Sequence, residues 1–234
     1  MSKTKQIFIV GSSRSGTTMM GRILGKNTNI FTFRELHFFG TLWSQNRSKL
    51  LNKAEQIELL SRLFYIQENG LFSQKNTVKF NTKSSQLISA ESKSPLEIYK
   101  LFLDVVTKEN ASKISCEQTP KNIYYLKEIL DFFPDAKVIN LVRDQRDVLL
   151  SQKKKWKRRF LGAKEIPLFE AFRSFVNYHP ILTASIWNSS LSYTAQYLSH
   201  PQVKVVYFED LLSNSKNVVK GLCKFLEINF EEQM

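Results

Sequence analysis

A short apolar run that ends in a glycine-rich turn constrains the fold of this chain more than any other feature. Residues 7–10 (Ile-Phe-Ile-Val) lead into Gly11-Ser12-Ser13-Arg14-Ser15-Gly16-Thr17-Thr18, and the helix-like residues 19–24 follow. The four residues between the two glycines are the spacing of a P-loop, whose backbone N–H groups wrap a phosphate at a helix N-terminus. The sequence therefore predicts a buried strand, an anion-binding loop and a helix. A plain Gly/Ser turn between strand and helix is the alternative.

The residue that follows the second glycine narrows the choice of anion. It is Thr17, at the position where a nucleoside triphosphatase carries the lysine that neutralises the β and γ phosphates. This difference argues against triphosphate chemistry. A loop that keeps the backbone cradle and adds Arg14 suits a shorter anion.

Further apolar runs predict a parallel sheet. Lys137–Val142 and residues 203–208 read as buried strands, and residues 113–116 are a weaker candidate. Helix-length segments lie between them, one opened by the capping box Ser94-Pro95-Leu96-Glu97 and another by Thr119-Pro120. Strands that alternate with helices predict an α/β fold in three layers, with a central parallel sheet and the topology of the P-loop NTPases.

Length and composition fit one domain over residues 1–234, in which the polar residues 69–93 form a loop or mobile excursion. No run approaches the 18 or so apolar residues that a membrane span requires, and residues 1–6 lack the apolar segment of a signal peptide. Cys116 and Cys223 are too few for a disulfide scaffold and read as core residues. We therefore expect a cytoplasmic protein. Its net charge of +13 is compatible with nucleic acid, acidic membrane or small anionic ligands and does not choose between them.

A second motif follows the strand Lys137–Val142. Arg143-Asp144-Gln145-Arg146-Asp147 begins a helix that Asp144 can cap, and Ser151 lies about two turns further on. Arg143 and Ser151 can then converge on one anion at the carboxyl edge of the sheet. Surface ion pairs at a helix start are the alternative for this motif taken alone.

Together the two motifs resemble the PAPS-dependent sulfotransferases, in the branch of the tyrosylprotein and related bacterial enzymes. Arg14-Ser15-Gly16-Thr17-Thr18 looks like their 5′-phosphosulfate loop, and an Arg and a Ser eight residues apart, here Arg143 and Ser151, bind the 3′-phosphate in that family. The resemblance implies transfer of a sulfuryl group from 3′-phosphoadenosine 5′-phosphosulfate (PAPS) to a hydroxyl, with 3′-phosphoadenosine 5′-phosphate (PAP) as product. The donor-binding residues it implies are Ser13, Arg14, Ser15, Gly16, Thr17, Thr18, Arg143, Ser151 and Phe208.

The implied role of Phe208 rests on a weaker match. Residues 206–211 (Val-Tyr-Phe-Glu-Asp-Leu) resemble a Tyr-Glu-Asp-Leu stretch whose tyrosine helps to hold the adenosine. Phe208 occupies the register of that tyrosine, and Tyr207 comes one residue earlier. The ring of Phe208 can stack on the base but cannot supply the hydroxyl.

For catalysis, the resemblance implies Arg14 as the cation near the transferred group and Glu35 as the base. Glu35 follows Arg14 by 21 residues, the interval of the catalytic glutamate in tyrosylprotein-type enzymes. We expect Glu35 to be buried among neighbouring phenylalanines, which would raise its pKa toward a value suited to a base. A simple pairing of Glu35 with Arg34 is the alternative, and His37 is the second candidate base.

The segment Glu117-Gln118-Thr119-Pro120-Lys121 resembles a Glu-Lys-Thr-Pro segment of this branch, with Gln118 where the family carries a lysine. Either Lys121 or another cation replaces that lysine, or activity is low. No Asp/Glu/His cluster has metal-ligand spacing, so we expect no metal cofactor.

Six of the seven residues 153–159 are basic, which indicates a solvated helix face or an electropositive rim. An atypical P-loop kinase and a non-enzymatic protein that binds anions or nucleic acid stay open as alternatives, although no nucleic-acid-binding motif is evident. The acceptor is a hydroxyl-bearing glycan, lipid, tyrosine or small molecule, and an anionic one fits the net charge. The oligomeric state is left open.

Overall fold

The computed structural model describes residues 4–45, 49–71, 77–161, 167–176 and 178–234, without the side chain of Arg158. Its centre is a parallel sheet with the strand order β2-β3-β1-β4-β5. The strands are β1 (Lys5–Gly11), β2 (Ile30–Thr32), β3 (Ile114–Glu117), β4 (Lys137–Val142) and β5 (Val203–Tyr207). The predicted α/β fold with a central parallel sheet is confirmed.

Helices connect successive strands and cover both faces of the sheet. They are α1 (Thr17–Leu24), α2 (Lys53–Asn69), α3 (Asn81–Leu87), α4 (Pro95–Glu109), α5 (Leu126–Phe132), α6 (Gln145–Lys153), α7 (Leu168–Val176), α8 (Pro180–Gln196), α9 (Phe208–Ser213) and α10 (Ser215–Leu226). Short 3₁₀ turns cover Val78–Phe80, Pro120–Tyr125 and Lys155–Arg159, and a π turn covers Phe38–Leu42. No helix in the described part of the chain is long and apolar enough to cross a membrane.

Alternating residues of β1 separate the core into two layers. Phe8 and Val10 belong to a cluster with the apolar faces of α2, α4 and α5, whereas Ile7 and Ile9 pack with α1 and α10. This is the period of two that a strand imposes on its side chains. The three-layer arrangement follows, and in folds of this kind ligands bind at the carboxyl edge of the sheet.

The capping box predicted at α4 is present. Ser94 accepts a hydrogen bond from the N–H of Glu97, and the Glu97 carboxylate accepts one from the N–H of Ser94. The helix predicted at Thr119-Pro120 begins as a 3₁₀ turn and continues as α5. The strand predicted over residues 203–208 ends one residue earlier, because Phe208 already begins α9.

The loop predicted over residues 69–93 is wrong for residues 78–87, which form a 3₁₀ turn and α3. The sequence there is polar, but Ser84 is buried and its hydroxyl accepts a hydrogen bond from that of Ser61 in α2. A tertiary hydrogen bond thus anchors a helix that has no apolar stripe. Residues 72–76 of the predicted loop lie outside the described residues.

Candidate active site

The loop after β1 depends on both of its glycines. Gly11 has a φ of +146°, and a Cβ there would lie 2.3 Å from the carbonyl oxygen of Leu141 in β4. Gly16 has a φ of +99°, and a Cβ there would lie 2.4 Å from the ring of Phe208. Both positions therefore exclude other residues, by conformation and by contact. The P-loop spacing read from the sequence corresponds to a real geometric requirement.

Hydrogen bonds inside the loop fix its shape. The Ser15 side chain is fully buried, and both its N–H and its hydroxyl donate to the carbonyl of Ser12, at 3.1 and 2.6 Å. α1 begins at Thr17, and its first residues present N–H groups that have no acceptor within the helix. Thr18 is exposed at this end, and Thr17 is buried. The loop thus leads into the amino end of α1, where the unpaired N–H groups and the helix dipole favour negative charge.

The two anion motifs meet at the edge of the sheet. The Nε of Arg14 donates to the hydroxyl of Ser151 over 2.9 Å, across 137 residues of sequence. A guanidinium nitrogen of Arg143 donates to the backbone carbonyl of Arg14 over 3.3 Å. Arg14 itself has a left-handed backbone, with a φ of +75°. The structure therefore brings Arg14, Arg143 and Ser151, three residues chosen from sequence, into one cluster.

The Arg143 side chain is held from several directions. Its guanidinium lies 4.4 Å from the ring centre of Phe208 and 3.3 Å from the carboxylate of Asp147. The indole N–H of Trp187 donates to the backbone carbonyl of Arg143 over 2.9 Å. Within the described residues the buried Nε of Arg143 has no hydrogen-bond partner. Buried donors are rarely left unpaired in folded proteins, so this N–H lacks an acceptor that a bound group would supply.

Asp144 starts the helix that carries Ser151. Its carboxylate accepts a hydrogen bond from the N–H of Arg146 and pairs with the Arg146 guanidinium at 2.8 Å. These Arg146 hydrogen bonds lower the pKa of Asp144 to about 2. The predicted cap of α6 is confirmed. It directs the helix so that Ser151 faces the loop.

Phe208 lies between the two motifs and not on an open surface. Its ring is only 8% exposed, with Gly16 on its edge and the Arg143 guanidinium close to it. The neighbouring Tyr207 is 54% exposed. The geometry gives Phe208 the role of a spacer that separates the loop from Arg143.

The two candidate bases contact each other. The Nε2 of His37 lies 3.2 Å from a carboxylate oxygen of Glu35. The burial expected for Glu35 is wrong, since its side chain is 40% exposed. The neighbouring phenylalanines Phe33, Phe38 and Phe39 turn into the core and leave Glu35 at the surface of a cleft. Glu35 therefore pairs with His37, where the sequence offered Arg34 as the alternative partner.

Glu117 is a residue whose importance the sequence did not reveal. It lies at the end of β3, is only 1% exposed, and accepts hydrogen bonds from the N–H of Leu36, from both the N–H and the hydroxyl of Thr119, and from Asn122. Burial raises the pKa of Glu117 to about 7 against the lowering effect of these hydrogen bonds. Thr119 in turn accepts from the N–H of His37. The buried carboxylate thus fixes the turn that presents Glu35 and His37.

Glu35 and His37 line a cleft of about 1020 Å³ that also reaches Thr18 at the amino end of α1. Gln118 lies in its wall, packed against Gly21 of α1, and its side-chain oxygen is buried with no partner in the described part of the chain. Cationic side chains predominate in the lining: Arg22, Lys26, Arg34, Lys155 and Arg173, against the carboxylates Glu35 and Glu170. The cleft therefore favours negative charge.

The sequence named Lys121, or another cation, as the replacement for the lysine that the family carries at the position of Gln118. Lys121 is exposed on the 3₁₀ turn after β3. Lys155, in the basic run, lines the cleft together with Glu35 and Gln118. The position of Lys155 matches the cation that the sequence left unassigned. In the described residues no group of three or more His, Cys, Asp or Glu side chains has the arrangement of a metal site.

Comparison with known proteins places this geometry in a family. The model of the Sulfotransferase family matches residues 6–232. No curated protein sequence matches the chain. The sulfotransferase domain of the curacin biosynthetic pathway has 20% identity and a TM-score of 0.59, over 97% of this chain and 75% of that one.

Two further solved structures share the fold. The sulfotransferase domain of the Synechococcus PCC 7002 olefin synthase has 19% identity and a TM-score of 0.61, over 99% of this chain and 76% of that one. Mouse sulfotransferase SULT7A1, solved in complex with PAP, has 12% identity and a TM-score of 0.51, over 99% of this chain and 62% of that one. At these identities the structures support the fold, and the match over residues 6–232 shows that the chain belongs to the sulfotransferase family.

Proposed function

We propose that this protein transfers a sulfuryl group from PAPS to the hydroxyl of an acceptor. The observation that carries the proposal is the hydrogen bond from Arg14 to Ser151, which joins the loop after β1 to the helix after β4. It brings the loop after β1 and the helix after β4 side by side at one sheet edge, which is the arrangement that a donor with phosphate groups at both its 5′ and 3′ positions requires. The PAP complex of mouse SULT7A1, a protein of the same fold, supports this donor.

The loop and the amino end of α1 would hold the 5′-phosphosulfate. Gly16, Thr17 and Thr18 would offer backbone N–H groups and two hydroxyls there. Ser15 shapes the preceding loop through its hydrogen bond to Ser12, and Ser13, whose carbonyl accepts from the Ser12 hydroxyl, stays a predicted donor-binding residue. Arg14 adds a positive charge beside this end of the helix. Anions bind helix N-termini because the unpaired N–H groups and the helix dipole both favour negative charge.

Arg143 and Ser151 would hold the 3′-phosphate. The unpaired Nε of Arg143 is the feature of the structure that fits such a group, since a phosphate oxygen supplies the acceptor that this buried N–H lacks. Phe208 would act by fixing the guanidinium, and its contact with the adenine base stays a prediction.

Glu35 would accept the proton of the acceptor hydroxyl. The contact with His37 leaves one carboxylate oxygen of Glu35 for that proton and orients the side chain toward the cleft. General bases must lie within hydrogen-bonding reach of the proton that they remove. Glu117 holds the turn that carries Glu35 and His37, so we assign Glu117 a positioning role and not the role of the base.

PAPS supplies the sulfuryl group, and the chain supplies the positive charge near it. Arg14 in the loop and Lys155 at the cleft would stabilise charge that develops on the transferred group and the bridging oxygen. Lys155 would thereby replace the lysine that is absent at Gln118. The excess of cations along the cleft favours an acceptor that carries negative charge near its hydroxyl.

Transfer of ³⁵S-labelled sulfuryl from PAPS to a panel of hydroxyl-bearing acceptors tests the proposal. Labelled product together with stoichiometric PAP is the expected result, and Glu35→Gln should form that product about 10²–10⁴ times more slowly. Transfer of the γ-phosphate of ATP in place of the sulfuryl group would establish the kinase alternative. Tight binding of nucleic acid without any group transfer would favour the binding-protein alternative.

A further inference from the structure

The described residues between the basic run and the start of α8 include many exposed large apolar side chains. Leu161 is 81% and Phe169 is 71% exposed. Other exposed apolar side chains of this segment are Phe160, Leu168, Phe172, Phe175, Val176, Ile181 and Leu182. We call these nine residues the apolar face. Four of them, Phe160, Leu168, Phe172 and Phe175, line one depression, and clustered exposed apolar side chains mark a site of interaction in many soluble proteins.

α7 is amphipathic, and its two sides face different surroundings. Phe172 and Phe175 line an apolar depression of about 400 Å³, together with Trp156 and Phe160. Arg173 and the Glu170 carboxylate with which it pairs at 2.9 Å line the cleft described above. The helix is therefore part of the cleft wall on one side and has no protein cover in the described residues on the other.

Lysines lie directly beside the apolar face. Trp156 connects the two, since its ring centre is 5.5 Å from that of Phe175 and 5.5 Å from the ammonium of Lys157. Lys153 and Lys154, earlier in the same basic run, are also exposed. Aromatic and aliphatic side chains next to a row of lysines are the composition of a surface that lies in the interface of an anionic bilayer.

We propose that the apolar face and its lysines dock the protein on an anionic lipid bilayer. The lysines pair with the headgroups, and the rings of α7 enter the boundary between headgroups and acyl chains. A second copy of this chain fits less well, because a symmetric contact through this face would set the two rows of lysines against each other. The proposal concerns a surface outside the donor site and stands independently of the proposed function.

Co-sedimentation of the full chain with phosphatidylcholine vesicles, with or without phosphatidylserine, tests the proposal. We expect binding to the phosphatidylserine vesicles that is lost at high salt, and little binding to phosphatidylcholine alone. The double variant Phe169→Ser/Phe172→Ser should bind about tenfold or more weakly. Leu212→Ser, at an exposed apolar residue of α9, should bind like the unmodified chain. Because all three residues are exposed, thermal melts should confirm that the variants fold.

Two charge-reversal double variants distinguish the effect of these particular lysines from the effect of the protein's net charge. Lys153→Glu/Lys154→Glu should abolish binding, and Lys108→Glu/Lys204→Glu, at exposed lysines of α4 and β5, should reduce it much less. Equal loss in both pairs would show that only the overall charge matters and would overturn the proposal. So would unchanged binding of Phe169→Ser/Phe172→Ser, or a dimer in light scattering that this variant dissociates while no vesicle binding is seen.

Discussion

The buried carboxylate of Glu117 should make folding stability depend on pH in an unusual direction. Its pKa lies at about 7 in the folded protein, mainly because of burial, against a reference of 4.5. The folded state then binds the proton more tightly than the unfolded state between these values. Stability from this group is complete below about pH 4.5 and is lost as the pH rises through 7. The difference between the two pKa values corresponds to about 3 kcal/mol in the free energy of unfolding, and about 2–3 kcal/mol of this change occurs between pH 5 and pH 8.

Urea unfolding of the unmodified chain and of Glu117→Gln at pH 5 and pH 8 measures this effect. The variant cannot titrate, so its stability relative to the unmodified chain should rise by about 2–3 kcal/mol between the two pH values. Glu97→Gln is a control, because the Ser94 hydrogen bonds lower the pKa of Glu97 and its titration therefore lies below the range of pH 5 to pH 8. The stability of that variant relative to the unmodified chain should change little between the two pH values. Parallel curves for the unmodified chain and Glu117→Gln would refute the reasoning.

Three further predictions concern turnover. Glu35→Gln should lower the single-turnover rate of transfer by about 10²–10⁴, the usual contribution of a general base, and leave donor affinity nearly unchanged. His37→Ala should lower that rate less. If His37→Ala abolishes transfer while Glu35→Gln stays active, the histidine is the base. Lys155→Ala should lower the rate of transfer by about 10-fold to 100-fold, while Lys154→Ala, at an exposed neighbour, should leave it unchanged. Equal rates for the two variants would show that Lys155 does not take part in transfer. EDTA should leave turnover unchanged because arginine and lysine side chains supply the charge, and complete reversible loss of activity would revive the kinase alternative.

Much of the site could be predicted from sequence because its parts are local. The strand, the two glycines and the helix of the phosphate loop are contiguous in sequence, and both glycines have the positive φ angles that favour glycine. Arg143 and Ser151 are likewise placed by one strand and one capped helix. Parallel strands bring their carboxyl ends to one edge, so two local motifs were enough to predict a shared site.

The features that sequence missed depend on contacts across the fold. β2 has only three residues and is defined by its pairing with β3, in which Ile30 faces Ile114. Glu117 reads as an ordinary charged residue until the turn at Leu36 closes over it. The exposure of Glu35 could not be predicted either, because neighbouring aromatic residues indicate burial only when their rings and the carboxylate point the same way.

Calorimetric titration with PAP and AMP tests the central claim most directly, since the claim is that Arg14, Arg143 and Ser151 form two anion sites for one donor. We predict that PAP binds far more tightly than AMP or ATP, and that Arg143→Ala weakens PAP binding by about 2–4 kcal/mol, the scale for removing a charged partner from a buried pair. Arg146→Ala, at the 90% exposed arginine of the same motif, should leave PAP affinity close to that of the unmodified chain. Equal affinity for PAP and AMP would contradict the account, because the 3′-phosphate site would then not exist.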